Sequence, residues 1–398
     1  MMLRKKKHVA IVCPACDGEG SVGNVALRHA TEMSHYFKVT LISDSFPRHE
    51  LPGINLCKVA QRRFNFLHRF CHVPNEISFA RAVHSKLKMQ HKEDTIHMVM
   101  CHGHVLATLA AIPLKKKFGI PYGITIHGDI FDRPRGTYDW WLTTLYKVVT
   151  PSAYRNADFI QALSPHIASC ALRRGARDQM VKLLPNGIDP SDIGLDILDN
   201  LIDSRKVLSD GVLKLLYVGG ITEVKGVNVL IETCGILKEK KINFTLQLIG
   251  SGNLESQLQH RINQLGLSHH VHFLGKLPRK ALGRIYKAAD IVCVPSLNDS
   301  LPTVVLESLV SGTPVIGSNV CGIPYMVETG KNGVLVSPGD ATAISEIIED
   351  LYKDKKKLQY LKINSRPSVL PKFSWKVIGE EIQSQIQKSI DNAKFNKN

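Results

Sequence analysis

Short apolar runs recur along the whole of this chain, each separated from the next by a turn and often by a stretch of helical length. In the first half they are His8–Cys13, Lys38–Ser43, Ile54–Ala60, Ile96–Cys101, Tyr122–His127, Asp158–Leu163 and Val181–Leu184. Runs this short, rich in Val, Ile and Leu, read as buried strands and not as helices. Strands alternating with helices need a parallel sheet covered on both faces, so the expected class is α/β. The second half repeats the pattern. LLYV ends at Val218, just before Gly219, and Phe244–Gly250, Val271–Gly275, Ile291–Val294, Pro314–Gly317 and Gly333–Val336 follow.

A chain of 398 residues has length for two or three domains with ample cores. A hydrophobic fraction of 44% and a charged fraction of 22% suit a globular protein and exclude a disordered one. No apolar run is long enough to span a bilayer, and the basic N-terminus lacks a signal-peptide core. The expected location is therefore cytoplasmic. Nine scattered cysteines fit reduced thiols. One pair is close, Cys13-Pro14-Ala15-Cys16; a redox pair, or half a zinc site with Cys101, His102 and His104, is weighed against ordinary packed cysteines.

Charge is uneven. Residues 1–189 carry 26 Lys and Arg against 14 Asp and Glu, a net of +12 out of +16. No nucleic-acid module is present and aromatics are few, so nucleic acid is not the expected partner. An anionic membrane surface or a phosphate-bearing acceptor fits the excess. The segment Gln61–Lys92 mixes arginines with Phe64, Phe66, Phe70 and Phe79. It reads as a helix lying on a membrane surface or as a surface helix with its apolar side in the core.

Several strand ends carry polar groups. After strand one, Gly18-Glu19-Gly20-Ser21-Val22-Gly23 matches the dinucleotide fingerprint, and Asp44 ends strand two. The first glycine lies five residues past Cys13, too far for a tight strand-to-helix turn, so the motif does not discriminate between nucleotide ligands. His102, His104 and His127 stand at strand ends, where open parallel sheets bind ligands. Asn186-Gly187 signals a turn, and Pro190–Gly211, with Asp192, Asp196, Asp199, Asp203 and Asp210, reads as a linker with a short helix.

The second half opens on strand, Gly219-Gly220, then Lys225 and a helix. Its most informative stretch is ADIVCVPSLNDSLPTVVLESLVSGTPVIGS, residues 289–318. A strand enters a loop carrying Asp299. Pro302 suits the first turn of a helix containing Glu307, and Gly312 stops that helix. The helix start presents unpaired N–H groups to an anion. No Asp-Xaa-Asp pair appears, so no metal is expected at a diphosphate.

The two acids, eight positions apart, resemble the acid–seven residues–acid signature of retaining glycosyltransferases of family four. Leu184–Asp189, the Lys225 turn and His127-Gly128-Asp129 resemble that family as well. The resemblance implies the GT-B fold: two facing Rossmann-like domains with a deep cleft and a last helix crossing back. The domains would be 1–189 for the acceptor and 190–375 for the nucleotide sugar, with 376–398 as the returning helix. It implies a UDP- or GDP-type donor with no cofactor, and retention of configuration.

Donor contacts would come from Gly18, Gly20, Gly220, Lys225, Gly250, Gly275, Lys276, Leu277, Asp299, Leu301, Pro302, Thr303, Val304 and Glu307. His102, His104, His127 and Asp129 would lie on the acceptor side, with His127, Lys225, Asp299 and Glu307 catalytic. Two positions depart from the family: Asp299 stands for Glu, and Gly220 stands where a diphosphate-binding Arg is usual. The implied acceptor is a saccharide or lipid-linked saccharide in surface polysaccharide, lipopolysaccharide or glycolipid assembly. The alternatives are a nicotinamide-dependent oxidoreductase using the Gly18–Gly23 loop, or a GT-B-shaped binding protein.

Overall fold

A computed structural model of the chain describes residues 6–17, 21–48, 50–60, 73–103, 108–128, 140–195 and 211–395. Two compact units result, Met1–Asn186 with Ile378–Asn398, and Gly187–Val377.

The first unit contains, in chain order, β1 (His8–Val12), α1 (Ser21–Ser34), β2 (Lys38–Ser43), β3 (Ile54–Lys58), α2 (Val73–Glu93), β4 (Ile96–His102) and α3 (Ile112–Phe118). Then come β5 (Tyr122–Ile126), α4 (Trp140–Arg155), β6 (Phe159–Ala162), α5 (Pro165–Arg173) and β7 (Val181–Leu183). The strands form one sheet in the order β3-β2-β1-β4-β5-β6-β7, every pairing parallel. All residues of β1, β5 and β6 are buried, as helices on both faces require.

The second unit holds β8 (Leu213–Val218), α6 (Val227–Glu239), β9 (Phe244–Ile249), α7 (Glu255–Gln264), β10 (Val271–Gly275), α8 (Arg279–Ala288) and β11 (Ile291–Val294). It continues with α9 (Thr303–Val310), β12 (Val315–Ser318), β13 (Gly333–Val336), α10 (Ala341–Lys353), α11 (Lys355–Phe373) and the start of α12 (Trp375–Phe395). Its sheet runs β10-β9-β8-β11-β12-β13, again parallel throughout.

In each sheet the first strand of the unit lies between its second strand and a later one. Chain order reverses there, and the connections leaving the two central strands splay apart. The crevice beyond their carboxyl ends is where such sheets take ligands. In the second unit those connections are the ones after β8 and β11, which carry Lys225 and Asp299.

Each apolar run read from the sequence is a strand, with ends shifted by no more than two residues. Helices fared less well. The sequence reading places no helix between β13 and the terminal helix, yet α10 and α11 lie there. Their start signals are present: Asp340 accepts from the Ala343 N–H at 2.8 Å, and Asp354 from that of Lys357 at 3.0 Å. Pro367 and Pro371, inside α11, hide it from a reading by breakers.

The terminal helix, expected within 376–398, runs Trp375–Phe395, with an Ile stripe, Ile378, Ile382, Ile386 and Ile390, buried along it. From Ile378 the chain groups with the first unit. There Lys7 pairs with Asp391 at 2.7 Å, and Gly379 lies against Glu32.

On α2, Phe79, Val83 and Leu87 are buried and Arg81 and Lys88 are exposed, so its apolar side faces the core. The rest of that basic segment, 61–72, lies outside the described residues. In the expected linker, Pro190–Ile193 forms a 3-10 turn capped reciprocally by Asp189 and Asp192. Asp196, Asp199, Asp203 and Asp210 fall outside the described residues.

Candidate functional site

Strand β8 ends at Val218, and the chain turns through Gly219 and Gly220 into a 3-10 turn, Glu223–Lys225. Gly226 then has φ +67°, and a Cβ on it would stand 1.9 Å from the Pro295 carbonyl oxygen. Only glycine permits both the left-handed backbone and that approach. The approach lets the loop after β11 lie on the turn, where the Leu297 N–H donates to the Val224 carbonyl at 2.9 Å. A second clamp acts from the far side. The Gly322 N–H donates to the Asp299 carbonyl at 3.2 Å, and a Cβ on Gly322 would meet the Ser300 carbonyl oxygen. The loop so fixed brings the Asp299 carboxylate onto the Lys225 ammonium as a hydrogen-bonded ion pair.

Helix α9 starts immediately after this loop. Leu301 and Pro302 are buried, and Thr303 and Val304 are half-buried. The cap residue, Pro302, makes no side-chain capping bond, and the Thr303 and Val304 N–H groups at the helix start face a ligand or solvent. Pro302 precedes the first turn as the cap residue and does not lie inside it.

Glu307, on the second turn, is only 4% exposed. Its Oε1 accepts from Arg279 Nε at 3.0 Å and Nη2 at 2.8 Å, and its Oε2 accepts from the Tyr286 hydroxyl at 3.0 Å. Both donors come from α8, seven residues apart and so on one helix face. Burial, and then the charge of Glu307, push the Tyr286 phenol well above its ordinary range, so it stays a donor. Sequence reading missed both residues. The available signal was their two-turn spacing just before the strand that leads to Glu307.

Three glycine turns stand side by side at the carboxyl edge of this sheet. The Gly219 N–H donates to Ile249 and the Gly250 N–H to Gly275, each at 2.9 Å. A Cβ on Gly250 would lie 1.8 Å from the Gly219 carbonyl oxygen, so packing between turns already requires that glycine. Gly220 differs. A Cβ there would meet only Thr222, at 3.8 Å, and the position is open. The Tyr217 hydroxyl donates to the Gly220 carbonyl at 2.7 Å. Gly275 and Lys276 are exposed and Leu277 is half-buried.

In the first unit, His102 ends β4 and His127 follows β5. His102 Nδ1 and His127 Nε2 are 3.2 Å apart, a hydrogen bond. His29, from α1, meets the His102 ring edge-on with centroids 4.8 Å apart. Burial drives His29 to about 3 and His127 to about 4, and holds His102 well below the imidazole range. All three are neutral at neutral pH.

Gly18, Gly20, His104 and Asp129 lie outside the described residues. Cys13 and Cys16 are buried, and a hydrogen bond to Cys16, followed by burial, holds the Cys13 thiol protonated. Among the described residues no three His, Cys, Asp or Glu side chains are grouped to hold a metal ion, and no helix is long and apolar enough to cross a membrane. The expected residues thus fall into two sets, Lys225, Asp299 and Glu307 in the second unit and His102 with His127 in the first.

Two family models match. Residues 22–192 match the description Glycosyltransferase Family 4, and residues 200–367 match Glycosyl transferases group 1. The chain is similar to an uncharacterized glycosyltransferase of Methanocaldococcus jannaschii, 30% identical over 296 residues, 73% of this chain and 74% of that protein. It is also similar to the amylovoran biosynthesis glycosyltransferase AmsK of Erwinia amylovora, 30% identical over 206 residues, 50% of this chain and 49% of that one. The chain therefore spans about half the length of this second relative. Among solved structures it resembles Anabaena HepE in complex with UDP, with a TM-score of 0.74 and 18% identity over 96% of this chain and 100% of that one.

Proposed function

This chain belongs to the group 1 glycosyltransferases of the family-four type and has their GT-B fold, and on that premise we propose that it transfers a hexosyl residue with retention of configuration from a UDP- or GDP-sugar to an acceptor hydroxyl. The observation carrying the donor site is the Lys225–Asp299 pair, held at the switch point of the second sheet beside the uncapped start of α9.

The donor's diphosphate lies against Lys225 and the first N–H groups of α9. As the anomeric C–O bond breaks, negative charge grows on the departing phosphate, where a cation and preorganised N–H dipoles stabilise it most. Asp299 holds Lys225 in place and accepts from the donor sugar's hydroxyls, directly or through a water. Glu307 takes the ribose hydroxyls; each carboxylate oxygen keeps acceptor capacity beyond its present donors. The acceptor oxygen bonds to the anomeric carbon on the face the phosphate leaves, and its proton passes to that phosphate. His127, at the ligand-binding edge of the first sheet, offers a hydrogen bond to a sugar hydroxyl or a phosphate oxygen. These groups do the electrostatic work without a metal or other cofactor.

The acceptor is a saccharide or lipid-linked saccharide of surface polysaccharide, lipopolysaccharide or glycolipid assembly. The similarity to the amylovoran enzyme supports this. The net +12 of residues 1–189 supports action at an anionic inner membrane face.

A panel of UDP- and GDP-sugars, read by nucleoside diphosphate release and by the product anomer, tests the proposal. One donor should turn over, with its anomer kept and with turnover insensitive to a chelator. Lys225→Ala and Glu307→Ala should each lose donor turnover while still folding. Inversion, chelator sensitivity or unchanged turnover in both variants overturns the corresponding part. Thermal stabilisation by NAD and not by nucleotide would favour the oxidoreductase. Co-sedimentation with anionic vesicles at low salt, lost at high salt, tests the membrane part.

A further inference from the structure

The ring of His102 is sealed from solvent. It is 1% exposed, covered on one side by His29 and hydrogen-bonded on another to His127. Its remaining nitrogen, Nε2, is buried with no hydrogen-bond partner among the described residues. A neutral imidazole carries one N–H and one bare nitrogen. Placing the proton on Nε2 would bury an orphan N–H, the rarer and costlier defect. Leaving Nε2 bare puts the proton on Nδ1, the atom 3.2 Å from His127 Nε2. His102 is then the donor of that bond and His127 Nε2 the acceptor. A neutral His127 that accepts at Nε2 must carry its own proton on Nδ1.

From this geometry we propose that His102 is a positioning residue that locks His127 in the Nδ1–H tautomer, so that His127 meets its ligand as a neutral hydrogen-bond donor and not as a base. The locked group suits an oxygen acceptor, either a phosphate oxygen or the lone pair of a sugar hydroxyl. It does not suit removal of a proton from the acceptor substrate. That assigns proton transfer elsewhere, in keeping with a leaving phosphate that takes the proton. The proposal rests on the reading that puts His127 at the ligand. The tautomer claim itself is independent of any substrate.

The backbone supports the role. Strands β4 and β5 are direct neighbours, with His102 registered opposite Thr125, two residues before His127. Gly103 follows with φ +85°, a conformation that turns the chain away at once. The two rings therefore sit on adjacent strand ends, and the bond between them is set by sheet register and not by a mobile loop.

Long-range proton–nitrogen correlation spectra of ¹⁵N-histidine-labelled full-length protein, assigned with His127→Gln, test this near neutral pH without substrate. His127 should show a protonated Nδ1 and a bare Nε2. In His102→Leu the His127 signals should move to a tautomer mixture. His102→Asn, whose amide N–H falls close to the lost Nδ1–H, should restore the wild-type pattern. With a donor that turns over, His102→Leu should lower kcat about tenfold or more and His102→Asn should recover most of it. A wild-type His127 protonated at Nε2, or an unchanged tautomer in His102→Leu, overturns the proposal. If His102→Leu does not fold, the wild-type spectrum still decides. The tautomer pattern as stated, together with no transfer from any nucleotide sugar, would retire the glycosyl-transfer reading and leave the tautomer lock standing.

Discussion

Glu307 lies at 4% exposure with both oxygens engaged, so its partners decide its cost. Tyr286→Phe removes the donor to Oε2 and leaves a buried carboxylate oxygen short of a bond. The expected loss is about 1–3 kcal/mol, read by denaturant unfolding, with weaker donor binding. Arg279→Met should cost at least as much, about 1–3 kcal/mol, because it removes both donors to Oε1 and the countercharge of a carboxylate that is only 5% exposed, even though the Arg279 side chain itself is 41% exposed. Gly220 poses the opposite case. Room exists for a side chain, and Gly220→Arg should fold normally and lower the donor KM about tenfold by adding a cation at the diphosphate. No change in KM would mean that another group already fills that contact. The positions of Lys225, Asp299 and Glu307 at strand ends were legible because a strand–loop–helix unit fixes where they emerge; their roles came from the resemblance to the family signature. Arg279 and Tyr286 were not, because their role depends on how α8 packs beside α9.

At the scale of the element, the turn between β8 and α6 carries the site. Gly226→Ala would force a Cβ into the Pro295 carbonyl and a side chain into the left-handed region. We expect a loss of about 2 kcal/mol or more, and a fall in donor turnover as Lys225 and the Asp299 loop separate. Gly275→Ala is the control. It shares φ +67° but has nothing within 4 Å, so only the backbone cost of roughly 1 kcal/mol applies. Equal effects of the two would show that the close approach is unimportant. The strands were readable because a strand buried on both faces is a continuous apolar run. Helix α10 carries readable signals, the Asp340 cap and the helical spacing of Ile344, Ile348 and Leu351, whereas Pro367 and Pro371 mask α11.

At the scale of the molecule, acid should act unevenly. His8, His29, His97, His102 and His127, all held below the usual imidazole range mainly by burial, lie in the first unit. Their folded pKa values are depressed, so the unfolded chain binds more protons. The stability they contribute is complete above about pH 6.5 and is lost as pH falls toward 4. Hydrogen exchange at pH 7.5 and pH 5, corrected for intrinsic rates, should show β1–β7 losing protection more than β8–β13. An equal loss in both sheets would contradict this.

The amino-acid order alone settled which segments are strands, that the class is α/β, and which residues leave the strand ends with a lysine, two acids and histidines. Those properties are local: apolar period, turn formers and spacing act over a few residues. Tertiary structure decided what these groups touch. It paired Lys225 with Asp299, bound Glu307 to Arg279 and Tyr286, and joined His102 to His127. Each of those contacts joins residues 21 to 74 positions apart, and only sheet register and helix packing bring such residues within hydrogen-bond reach.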